Sequence, residues 1–121
     1  VLDQGLAAIT ALCAAVVTNM AVGTGTTAVD PAQTGLVALI TDSGLGTADG
    51  AAATVTQFTT NTTNDSLRLV KAWSVTGTKA IEEVCVQTAA GLEYARARTS
   101  ATKNVSSGDT FTGTLSIVFT N

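Results

Sequence analysis

The chain has 121 residues, net charge −3, 45% hydrophobic residues but only 4% aromatic and 12% charged ones, and no histidine. That length suits one domain with a core that needs no metal or disulfide. Six scattered basic residues and a pI near 4.5 exclude an electrostatic footprint for nucleic acid. Without histidine the commonest general base and metal ligand are missing, so enzymatic activity, a bound metal and a cofactor are not expected. With 23 threonines and 20 alanines the surface is largely hydroxyl and methyl, smooth and tolerant of close neighbours.

In chain order, Leu2, Leu6, Ile9, Leu12 and Cys13 recur at helical spacing, with Asp3 placed to cap the helix. Val16, Val17, Met20 and Val22 then suit a buried strand running into Gly23-Thr24-Gly25. This apolar stretch lacks a basic flank, is interrupted by Thr10, Thr18 and Asn19, and is rich in alanine, so no membrane span is expected. A start at Val1 fits removal of an initiator methionine or processing of a longer precursor. Residues 23–52 read as a flexible loop region. Asp30-Pro31 marks a turn or a short helix start, 33–40 is an apolar segment of undecided type, and Gly44, Gly46 and Gly50 punctuate the rest.

From residue 53 the pattern turns to β. Strands are expected over 53–60, 67–75, 80–87, 92–100 and 110–120, separated by Gly or by Asn/Ser/Thr clusters. The last is the clearest: Phe111, Gly113, Leu115, Ile117 and Phe119 alternate with Thr110, Thr112, Thr114, Ser116 and Thr120. The expected fold is therefore mainly β, an antiparallel sandwich of jelly-roll type in one domain spanning 1–121, with a short N-terminal helix or arm over 1–17.

Few residues invite chemistry. Cys13 and Cys85 read as small buried hydrophobes, or as one bridge in an oxidising compartment. Glu82 and Glu83 are adjacent in a strand and point to opposite faces, so they cannot share a substrate; a pairing of one with Arg96 or Arg98 is the plainer reading. Asp30, Asp42 and Asp49 match no calcium-loop spacing and read as solvated loop acids. Asn61, Asn64 and Asn104 head formal glycosylation sequons of the kind a threonine-rich chain produces by chance. Trp73 reads as a core anchor.

Three segments together carry a resemblance. Ala80-Ile81-Glu82-Glu83-Val84-Cys85-Val86, then Leu92-Glu93-Tyr94-Ala95-Arg96-Ala97-Arg98, then Ser107-Gly108-Asp109-Thr110 with its alternating strand, resemble the C-terminal half of small structural proteins of tailed bacteriophage virions. Asn19-Met20-Ala21-Val22-Gly23-Thr24-Gly25 looks like the opening of the same proteins. The family pattern reads Ile-x-Glu-Ala-Gly-Leu-Phe, then Leu-x-Ala-Arg-Ala, then Gly-Asp. Ile81, Glu83, Ala95, Arg96, Ala97, Gly108 and Asp109 fit it, while Cys85 and Gln87 stand where the family has Gly and an aromatic residue.

The resemblance implies a virion component: a head decoration or cement protein that binds and stabilises the major capsid protein lattice on the head surface, assembled in the host cytoplasm. A tail, baseplate or fibre-associated subunit is the alternative, and a pilin-like or adhesin surface subunit a second. A homotrimer is expected from the smooth threonine face. Interface residues are expected at Glu83, Arg96 and Arg98, with both arginines at the surface or a subunit contact, and at Leu2, Leu6 and Ile9 of the N-terminal arm.

Overall fold

A computed structural model describes residues 2–46 and 50–120; Asp49 and Val1 lie outside them. A helix, α1 (Asp3–Val16), leads into β1 (Val17–Gly23), followed by β2 (Ala51–Ala52), β3 (Thr54–Phe58), β4 (Ser66–Ser74), β5 (Lys79–Thr88), β6 (Glu93–Val105) and β7 (Thr110–Val118). The strands form two antiparallel sheets, ordered β2-β1-β5-β6 and β3-β4-β7. The fold is thus mainly β and sandwich-like, with one N-terminal helix. Seven strands are present among the described residues, where a jelly roll has eight.

The core lies between the sheets. Met20 and Val22 of β1, Leu67, Leu69 and Trp73 of β4, Ile81 and Val86 of β5 and Leu115 of β7 are buried together. Trp73 stacks on Phe111 with ring centroids 5.8 Å apart. Gly113 lies beneath that stack, where an added Cβ would stand 3.1 Å from the Trp73 ring. The alternation of β7 is realised: Leu115 is buried, Phe111, Ile117 and Phe119 pack against the core, and Thr110, Thr112, Thr114 and Ser116 are exposed.

β1 shows no such alternation, because it is central and covered on both faces. One face meets the other sheet. Beyond Gly23 a strap of largely irregular chain, residues 24–40, returns beside the end of β1 through Thr24 N–H to Ala38 O (2.9 Å) and Ile40 N–H to Val22 O (3.0 Å). This corrects the expectation of a flexible loop: at least over 24–40 the segment is tethered. Asp30 does open a turn, accepting from Ala32 N–H (2.8 Å), but no helix follows. β6 runs to Val105, five residues past its expected end.

Two further corrections concern α1. Leu2, not Asp3, occupies the N-cap position, and no side chain caps the helix. The residues at helical spacing do not share one environment, and Leu6, expected with Leu2 and Ile9 at an interface, is buried together with Thr10, while Leu2, Ile9 and Leu12 are exposed. The Thr10 hydroxyl is satisfied by donating to Leu6 O (2.9 Å), so it can take a core position. Both cysteines are free, Cys85 buried and Cys13 half-buried.

Candidate functional site

Glu83 on β5 has no exposed surface, and its carboxylate is filled with donors. Oε1 accepts from Ala38 N–H (2.8 Å) and Gly25 N–H (3.2 Å), and Oε2 from Val37 N–H (3.1 Å) and Arg96 Nε (2.7 Å). The Arg96 side chain, 3% exposed, donates onward to Thr27 O (2.8 Å) and Gln33 Oε1 (3.1 Å). A carboxylate on one strand and a guanidinium on the next therefore hold both limbs of the strap. Burial would push the Glu83 carboxyl up, but the three backbone N–H groups and Arg96 outweigh it and hold the group below the usual range.

Register explains which arginine is chosen. Glu83 stands directly across from Arg98, and Arg96 across from Cys85, so the buried pair is diagonal. A register shift between Ile81 and Glu83 frees Glu82, which takes Arg98 (3.4 Å) and the Thr102 hydroxyl instead. Ala95 and Ala97 pack on the core, as the small-residue face should. Placement of both arginines at the surface or a subunit contact is corrected for Arg96, which this chain's own strap covers; the Arg98 side chain stays 38% exposed.

The strap needs its glycines. A Cβ at Gly23 would come 2.3 Å from Glu83 Oε1 and 2.6 Å from Ala38 O, and one at Gly25 would come 2.5 Å from Val37 Cβ and 2.7 Å from Glu83 Oε1. Gly23-Thr24-Gly25 is thus the place where the backbone must approach a buried carboxylate.

Beside the clasp stands Glu93, whose carboxyl is raised by burial and by the nearby Glu83 charge, against the Leu36 N–H that lowers it. It lies between two hollows, of about 260 Å³ beside Asp30, Gln33 and Tyr94, and about 170 Å³ beside Thr34, Leu39 and Gln87. The buried Gln87 Nε2 has no hydrogen-bond partner among the described residues. Burial and the Glu93 charge push the Cys85 thiol up to about 12, so it stays protonated at neutral pH. Sequence reading passed over Glu93, Gln33 and also Asp65, a buried acid that closes the turn before β4 by accepting from Thr60, Asn61 and Thr62 N–H. An acid just ahead of a strand, preceded by Asn and Thr, was the available signal for that last role.

Leu2, Leu6 and Ile9 are not brought together. Leu6 packs inward, while Leu2 at the N-cap is exposed (82%) and Ile9 (45%) lies on the outer face of α1 with Leu12 (70%) and Val16 (57%). Among the loop acids, Asp42 pairs with Lys79 (2.8 Å), and no three metal-ligating side chains cluster among the described residues. No described helix is long and apolar enough to cross a membrane. Comparison with family models, curated proteins and solved structures finds no match to this chain.

Proposed function

We propose that this protein is a structural assembly subunit, a head decoration or cement protein that binds the major capsid protein lattice of a tailed bacteriophage and associates as a homotrimer. The observation that carries the reading is the outer face of α1. Ile9, Leu12 and Val16 are exposed on the uncharged outer side of a helix anchored inward by Leu6 and Thr10, and Leu2 is exposed at its N-cap. An apolar stripe held rigidly at the surface is suited to burial against another protein. Many copies on a lattice need little affinity each, because multivalent attachment multiplies weak contacts. The resemblance adds support, since Gly23-Thr24-Gly25, Glu83 and Arg96, from three of its four segments, meet in one clasp.

Gel quantitation of copies per purified particle, against the major capsid protein, tests the assignment. Near-stoichiometric copies are expected. A small fraction of that number points to a tail or fibre subunit, and filaments formed without particles point to a pilin. Ile9→Ser with Leu12→Ser should abolish binding to undecorated heads while leaving the melting temperature nearly unchanged; full occupancy by this variant would remove α1 from the contact.

A further inference from the structure

Natural sheet edges are blunted by shortness, charge, bulges or a covering element. Three of the four edges here follow that rule among the described residues. β2 has two residues; β3 lies against α1, with Gln57 Nε2 donating to Ala7 O (3.0 Å); β6 carries Arg98 and Lys103 and has two register shifts against β5. β7 departs from it. Its nine residues, Thr110–Val118, contain no charge and no proline, and its register with β4 is unbroken.

The direction of its free groups follows from alternation. Phe119 N–H donates to Asp65 O (2.9 Å) and Asp109 O accepts from Val75 N–H (2.8 Å), so odd-numbered residues turn toward β4. Thr110, Thr112, Thr114, Ser116 and Val118 therefore aim their N–H and C=O groups at the open side. Along that side runs a cleft of about 420 Å³ between β7 and β6, with Val84, Ala97, Phe111 and Leu115 on its walls and Arg98 and Lys103 at its rim.

We propose that this cleft accepts an extended segment of another polypeptide, which adds to β7 as a fourth strand of the smaller sheet. Backbone pairing to the outward groups of β7 holds the segment, and alternate side chains enter the cleft. Those must be small and apolar to meet Ala97 and Leu115. A carboxylate at one end suits the rim, because Lys103 makes no ion pair among the described residues and Arg98 shares only the partly exposed Glu82. Among its described residues a second copy offers no free segment of this kind: the alternating stretches lie in its own sheets, and Glu83 and Arg96 clasp its strap. The proposal does not rest on the virion assignment.

The test uses the full chain and a synthetic peptide of about ten residues, matching an ordinary strand, with valine and threonine alternating and glutamate at one end. NMR should show slowed amide exchange at Thr112, Thr114 and Ser116 and shift changes confined to β7 and to Val84, Ala97, Arg98 and Lys103 of the cleft. A peptide of scrambled order should give neither, and one ending in lysine should bind several-fold more weakly. Thr114→Pro removes an outward amide and no bond to β4, and Ala97→Phe fills the cleft from the β6 side while leaving the backbone groups of β7 in place; both should lose peptide binding and keep the melting transition. Equal binding of the scrambled peptide, or binding that survives both variants, overturns the proposal. So does protection of these amides that grows with protein concentration in the absence of peptide, which would mean that a second copy closes the edge.

Discussion

Arg96 Nε lies 2.7 Å from Glu83 Oε2, and neither side chain is more than 3% exposed. Breaking a buried pair by removing one partner leaves an uncompensated charge, at a cost of about 3 to 5 kcal/mol. Arg96→Ala and Glu83→Ala are each expected to lower stability by that order, and to speed amide exchange at Gly25, Val37 and Ala38. Denaturant unfolding with hydrogen exchange checks this; normal stability in both variants would show that the strap is held by other contacts.

The Glu83 carboxyl is lowered in the folded chain from its ordinary value of 4.5, so below that value the unfolded chain binds the extra proton first. Its contribution is present above pH 4.5 and is lost as pH falls through the depressed folded value. Asp65 acts in the same sense, lowered by its hydrogen bonds from Ser66, Thr62, Thr60 and Asn61 against the cost of its burial. Glu93 is raised and opposes them. Acid unfolding should therefore steepen below about pH 4.5, and Glu83→Gln should flatten that limb in a stability-versus-pH series.

Gly25→Ala is expected to destabilise by about 1 to 3 kcal/mol, because the new methyl meets the Glu83 carboxylate and Val37. Gly108→Ala provides a contrast. Nothing lies within 4 Å of its Cβ, and only its φ of +96° resists substitution. Melting of the two variants separates steric from backbone cost: Glu83→Ala should partly rescue Gly25→Ala and leave Gly108→Ala unaffected.

On α1, Leu6→Ala should cost about 2 to 5 kcal/mol, since it empties a core position. Leu12→Ala should change stability by no more than about 0.5 kcal/mol. Equal costs would mean that the outer face is covered in the free protein.

Cys85, buried and with its thiol raised to about 12, should resist alkylation at pH 8 under native conditions, while the half-buried Cys13 reacts. Mass mapping of the modified residue checks the order.

Local pattern fixed several features of this chain by itself. Period-two alternation placed β7 and its inward Phe111, Leu115 and Ile117, and turn residues separated the strands, because side-chain direction in a strand depends only on neighbours in sequence. Helical spacing located α1 but not its inward face: Leu2, Leu12 and Val16 are as apolar as Leu6, and which side packs is set by β1, β3 and β4. Glu83 and Arg96 were legible as an opposite-charge pair on neighbouring strands, yet sequence placed the arginine at the surface or a subunit contact. Its burial follows from a strap some 60 to 70 positions away, whose Thr27 and Gln33 accept from the guanidinium. The same holds for Gly23 and Gly25, which read as loop punctuation until Glu83 stands against them. What sequence determined was periodicity and turn chemistry, properties of adjacent residues. What tertiary structure decided was burial and charge pairing, because contact between distant segments depends on how the sheets and strap close over one another.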